Sequence, residues 1–123
     1  MVNHPIIDDH EARLSPEDLA ALRDSLREQR LFREEQLRQI ATVPAHAEEA
    51  HRRRSAAQTE VRVELAASAR MVLADVEAAL DRMARGRYGF CHLCRRPVDR
   101  ARLLIVPQAR YCARCQQVRE AGR

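Results

Sequence analysis

All four cysteines of the chain fall in two tight pairs, Cys91-His92-Leu93-Cys94 and Cys112-Ala113-Arg114-Cys115, separated by seventeen residues. Two intervening residues let both sulfurs of a knuckle turn toward one point. A loop of this length lets the second knuckle return and complete a tetrahedron. Four soft thiolates in that arrangement favour Zn²⁺ and leave no coordination position open for water. The spacing therefore predicts one structural zinc on Cys91, Cys94, Cys112 and Cys115, with no catalytic role for the metal. Two disulfides, or a redox dithiol, are the competing uses of the same cysteines. The stretch Met1-Val2-Asn3-His4-Pro5-Ile6-Ile7-Asp8-Asp9 has no basic start and no long apolar run, so it does not read as a secretory signal. The expectation is a cytoplasmic protein whose thiols stay reduced and available to metal.

With 123 residues, one domain with an extended appendage is the expectation. No apolar run approaches a membrane span. Aromatic residues are scarce, and three of the four (Tyr88, Phe90 and Tyr111, but not Phe32) flank the cysteine knuckles. A dense core is therefore expected around the metal, since a segment of roughly 40 residues rarely folds without such a staple. Charge is uneven. Residues 1–85 carry 13 arginines against 16 acids, and residues 86–123 carry 9 against 2. The cysteine-bearing end is basic and the remainder mildly acidic.

Residues 1–14 lack a period and read as an N-terminal arm. Ser15-Pro16-Glu17-Asp18 is a helix start, with a hydroxyl cap, proline in the first turn and acids near the positive end of the helix dipole. Leu19, Leu22 and Leu26 follow at helical spacing, and Phe32, Leu37 and Ile40 continue the face after a slip. Pro44 ends this helix near Ala41 or Thr42. A second helix is expected from about Pro44–Ala47 to Arg85, closed by Gly86. Its inner face reads Leu65, Ala69, Val72, Val76, Ala79 and Met83, a heptad seam. Two long amphipathic helices joined by a short bend predict an antiparallel coiled-coil hairpin over 15–85, favoured over an intermolecular coiled coil because the connection is short. The fold class is thus mainly α: a long helical hairpin, then a small four-cysteine zinc-finger module with a C-terminal helix over 86–123. The tip, near 43–51, displays Glu48, Glu49 and His51. These are candidate partner-binding residues, although the helix dipole alone also favours acids there.

The residues Gly86-Arg87-Tyr88-Gly89-Phe90-Cys91-His92-Leu93-Cys94, followed by Arg102-Leu103, Pro107, Ala109, Cys112 and Cys115, resemble the DksA/TraR family of bacterial transcription regulators. The long hairpin directly before the zinc module extends the resemblance over most of the chain. The resemblance implies a monomeric protein that binds RNA polymerase, inserts its hairpin into the secondary channel and alters initiation complexes, with no sequence-specific DNA binding. Three departures stand out. The residue after the second cysteine, usually a glycine able to adopt positive φ, is Arg95. The family's Asp-x-x-Asp-x-Ala tip falls on Glu48, His51 and Arg53. The basic positions that meet the alarmone ppGpp fall on Ser68, Asp75, Val106 and Gln116, none of them basic, which predicts weak dependence on the alarmone.

Two other uses compete. Arg87, Arg95, Arg96, Arg100, Arg102, Arg110 and Arg114 surround the cysteines and suit a nucleic-acid-binding zinc module, against which stands the shortage of aromatics to stack on bases. Alternatively, the hairpin is an interaction scaffold. An enzyme is not expected, because His4, His10, His46, His51 and His92 are scattered and no acid–base–nucleophile set recurs at useful spacing. His92, between two ligands of a filled tetrahedron, is expected to point outward.

Overall fold

The structure is a computed structural model in which residues 14–41 and 56–122 are described. Among the described residues four helices follow in order: α1 (Pro16–Ala41), α2 (Ala56–Ala84), α3 (Arg100–Ile105) and α4 (Ala113–Ala121). The mainly α fold with a long helical hairpin is the one observed. At 1.5 Å per residue, α1 and α2 are about 39 and 44 Å long, and they pack against each other as the hairpin. The arm, the bend with Glu48, Glu49, His51 and Arg53, and His4, His10 and His46 lie outside the described residues. No described helix is long and apolar enough to cross a membrane.

The start of α1 follows from its sequence. Ser15 Oγ accepts from the Asp18 N–H at 3.0 Å, and Asp18 Oδ2 accepts from the Ser15 N–H at 3.0 Å. This reciprocal capping box satisfies two N–H groups that the helix cannot pair internally. At the C-terminal end of α2, also at the base of the hairpin, Gly86 takes φ +71°. The chain turns there with the Arg87 N–H bonded back to the Arg82 carbonyl at 2.8 Å, as a glycine just past a helix end allows.

The inward face of α1 keeps a strict heptad register. Leu19, Leu22 and Leu26 turn inward, and Gln29, Arg33, Gln36 and Ile40 are half-buried at the same spacing. Phe32 is therefore not on the seam: it is 62 % exposed, because Arg33, seven residues after Leu26, takes that place. Likewise Leu65 is 46 % exposed and Ala66 is the buried residue. The remaining seam of α2 is as expected, with Ala69, Val76 and Ala79 buried and Val72 and Met83 partly so.

The core is shared between hairpin and cysteine module. Leu22, Leu26, Val76 and Ala79 form one buried cluster with Tyr88, Cys91, Val98 and Leu103. This differs from a core built around the metal alone. Phe90 points out at 49 % exposure, whereas Leu103 of α3 is fully buried. Three polar contacts reinforce the junction. Arg100 grips Asp18 through two bonds of 2.9 Å, Arg110 Nε meets Asp75 at 2.9 Å, and Arg82 reaches the Ala109 carbonyl at 3.5 Å. The Arg100 guanidinium, together with Ser15, holds the Asp18 carboxyl well below the usual carboxylate range.

Candidate metal centre

The first knuckle is set by two unusual backbone positions. Gly89 adopts φ +98°, and a Cβ there would lie 3.5 Å from Leu14 and 3.9 Å from Leu103. Arg95 adopts φ +64°, a left-handed conformation that disfavours any residue with a Cβ. Between them Phe90 pairs with Pro97 in a single antiparallel bridge. The Cys91 N–H donates to the Arg96 carbonyl at 2.8 Å, and the Arg95 N–H donates to the Cys91 carbonyl at 3.0 Å. The second knuckle opens α4, where Cys112 is the N-cap and its sulfur accepts from the Cys115 N–H at 3.4 Å. The Leu93 N–H makes the matching 3.4 Å contact to the Cys91 sulfur. A bond of 2.8 Å from the His92 N–H to the Arg110 carbonyl ties the knuckles together.

All four sulfurs lie within 4.8 Å of one another, and Cys94 and Cys112 are 3.9 Å apart. A tetrahedron with 2.3 Å zinc–sulfur bonds has sulfurs about 3.8 Å apart, so the cluster has the dimensions of a zinc site. A disulfide needs about 2.05 Å, and the four cysteines are free. The electrostatics agree. Burial opposes ionisation of Cys91, but N–H groups directed at its sulfur outweigh burial and bring the pKa down to about 6. Cys115 is pushed up to about 12, first by sharing a proton with Cys112 and then by burial. Four thiolates this close cannot all ionise without a cation. The donor set fits one structural zinc, which would offset half of the thiolate charge and cross-link the knuckles.

His92 is exposed, as expected, with its ring edge-on to Tyr111 at 6.1 Å. Tyr88, buried beneath the site, donates its hydroxyl to the Pro107 carbonyl at 2.7 Å, and burial pushes its pKa up to about 12. Of the four positions matched to alarmone contacts, Asp75, Val106 and Gln116 line one groove of about 510 Å³ between α2 and α4, and Ser68 does not. Counting residues missed that Arg102 and Arg110 also line this groove. Asp75 is engaged with Arg110, and Arg102 Nε donates to the Tyr111 carbonyl at 3.0 Å.

The fold and site define a class: a helical hairpin whose base is built into a four-cysteine zinc-binding module. Residues 86–121 match the family model of the prokaryotic dksA/traR C4-type zinc finger. The structure of transcription factor DksA2 from Pseudomonas aeruginosa is similar over 87 % of this chain and 86 % of that one, with 26 % identity and a TM-score of 0.64. An uncharacterized protein of Aquifex aeolicus (strain VF5) is 36 % identical over 52 residues, which are 41 % of this chain and 36 % of that protein.

Proposed function

We infer that the chain is a cytoplasmic DksA/TraR-like transcription regulator that binds bacterial RNA polymerase. Its hairpin enters the secondary channel as a probe, and it acts as a monomer without sequence-specific DNA binding. The observation that carries this reading is the likeness to DksA2, which spans hairpin and finger together and not the finger alone. A nucleic-acid-binding finger is less favoured. Arg100, Arg102 and Arg110, three of the arginines around the cysteines, are committed to contacts within the fold. Nothing in the arrangement calls for enzymatic chemistry, because a four-thiolate zinc holds no water.

Glu48 and Glu49, with His51, are the proposed tip contacts, since a carboxylate there would act on a metal-containing active centre or its basic surroundings. Dependence on ppGpp is proposed to be weak, because Asp75 already occupies Arg110. The test is to capture core RNA polymerase from the native host on the tagged chain, then measure promoter-complex lifetimes with the parent and with Glu48→Ala/Glu49→Ala. The reading expects polymerase to co-purify with both, and the double variant to lose most of the effect on lifetime. Absence of polymerase subunits from the captured material would overturn it.

A further inference from the structure

Charge is segregated around α1. At about 100° per residue, Glu17, Asp18, Asp24, Glu28 and Glu35 share one side of the helix, and Arg23, Arg27 and Arg30 lie roughly 120–180° around from Asp18. The zinc module covers the acidic flank of the hairpin base, through Asp18 with Arg100 and Asp75 of α2 with Arg110. The opposite flank carries a cavity of about 260 Å³ walled by Arg23, Arg27 and Arg30 and floored by Leu80, Met83 and Ala84 of α2. No carboxylate is among its lining residues. Glu34 of α1 and Glu77 of α2 fall on the same side by helical position. Among the described residues neither pairs with an arginine, and none of the three guanidinium groups forms an ion pair or hydrogen bond. Three unpaired cations in one row beside an apolar floor match an anionic ligand that also carries aliphatic side chains.

We propose that this groove is a lateral docking surface for an acidic amphipathic helix of a partner protein. The partner's carboxylates would meet Arg23, Arg27 and Arg30, and its aliphatic side chains would cover Leu80, Met83 and Ala84. The arginine row sets the spacing. Arg23 to Arg27 rises about 6 Å along α1, and Arg27 to Arg30 about 4.5 Å. A helix lying parallel to α1 presents carboxylates at i, i+4 and i+7 with the same rises, and apolar residues on the adjoining stripe reach the floor. The floor favours such a helix over a nucleic-acid backbone, which offers phosphates to the arginines but nothing aliphatic to Leu80 and Met83. The chain's own junction uses the same chemistry with the signs exchanged, for Arg100 of the zinc module grips Asp18 of α1 through two bonds of 2.9 Å. A single exposed ion pair is weak, so the contact depends on the three arginines and the floor acting together, and salt weakens it. The surface belongs to the base of the hairpin and not to its tip, and the proposal does not depend on polymerase binding.

The test titrates the full zinc-loaded chain, methyl-labelled at Leu80 and Met83, with a synthetic helical peptide and follows it by NMR. The peptide carries glutamates at i, i+4 and i+7 and leucines on the adjoining stripe. A second peptide of the same composition has its leucines moved to the opposite face, and an RNA oligonucleotide is the third probe. Arg27→Glu reverses the centre of the row. Arg70→Glu makes the same charge change at an exposed arginine of α2 that does not line the groove. Circular dichroism checks that both variants keep their helix content. The expected result is a saturable shift of the Leu80 and Met83 methyl signals with the first peptide, weakened about tenfold or more by Arg27→Glu and less than about twofold by Arg70→Glu. The second peptide should bind about tenfold more weakly than the first. Methyl signals unmoved by the first peptide up to about 1 mM overturn the proposal. Equal weakening by the two variants also overturns it, since the attraction would then be net charge alone. RNA that shifts these signals where the first peptide does not overturns it as well, and assigns the arginines to phosphate.

Discussion

The base and the outer half of the hairpin are made from the same two helices, yet they are held in different ways. At the base, Leu22, Leu26, Val76 and Ala79 are fully buried and continue into Tyr88, Cys91, Val98 and Leu103 of the zinc module. Farther out, the heptad places on α1 hold Gln29, Arg33 and Gln36, and the buried residues of α2 are Ala66 and Ala69. Alanine lets helices approach closely but removes little apolar area from water, at about 25 cal/mol per Å². The outer half therefore relies on helix propensity and on short-range pairs such as Glu35 with Arg38 at 2.7 Å, each of small value when exposed. Such a region opens locally at lower free energy than the base. The same two helices thus combine a base packed into the cysteine module with a more loosely packed outer half.

Removing the metal should have the largest effect on this contrast. Because Cys91 belongs to the shared core, Cys91→Ser or chelation of zinc is expected to disorder residues 86–122 and also to loosen the base of the hairpin. The helical content of α1 and α2 should largely persist. Metal analysis should find one zinc per chain of the parent, and circular dichroism with near-ultraviolet tyrosine signals should separate lost packing from lost helix. Full retention of tertiary signals without zinc would break the link between base and metal.

Next in size comes a pair of equivalent truncations. Leu26→Ala at the base should cost about 2–5 kcal/mol, as for other fully buried leucines. Leu37→Ala, at a half-buried site of the outer half, should cost about 1 kcal/mol or less. Denaturant melts of the zinc-loaded variants measure both, and equal costs would erase the distinction.

The smallest effect is a gain. Arg95 holds a left-handed φ that costs a residue with a Cβ about 1–2 kcal/mol, partly offset by the greater flexibility of glycine when unfolded. Arg95→Gly should therefore stabilise the knuckle by up to about 1 kcal/mol, read as a raised midpoint of zinc-dependent unfolding.

These particulars also separate what was legible in the sequence from what was not. The cysteine spacing identified the site because ligand geometry is local to each knuckle, and the glycine family position at Arg95 pointed to the positive φ observed. The hairpin followed from periodicity and from the Ser15–Asp18 cap. The short helix α3 was missed, since six residues are too few to show a period, and with it the burial of Leu103. Phe32 and Leu65 fit the seam by hydrophobicity alone, whereas the heptad register selects Arg33 and Ala66. The joint core and the Asp18–Arg100 and Asp75–Arg110 ties are long-range pairings, for which one sequence carries no signal.

Hydrogen exchange of the zinc-loaded chain, followed by mass spectrometry with and without host core RNA polymerase, tests the central claim most directly. For the free chain, the account predicts slow exchange around Leu22, Leu26, Val76 and Ala79 and faster exchange over residues 29–41 and 56–70. Polymerase should then protect that outer half most strongly. Uniform protection along the free hairpin, or polymerase-induced protection confined to the zinc module, would contradict a rigid base presenting a yielding probe.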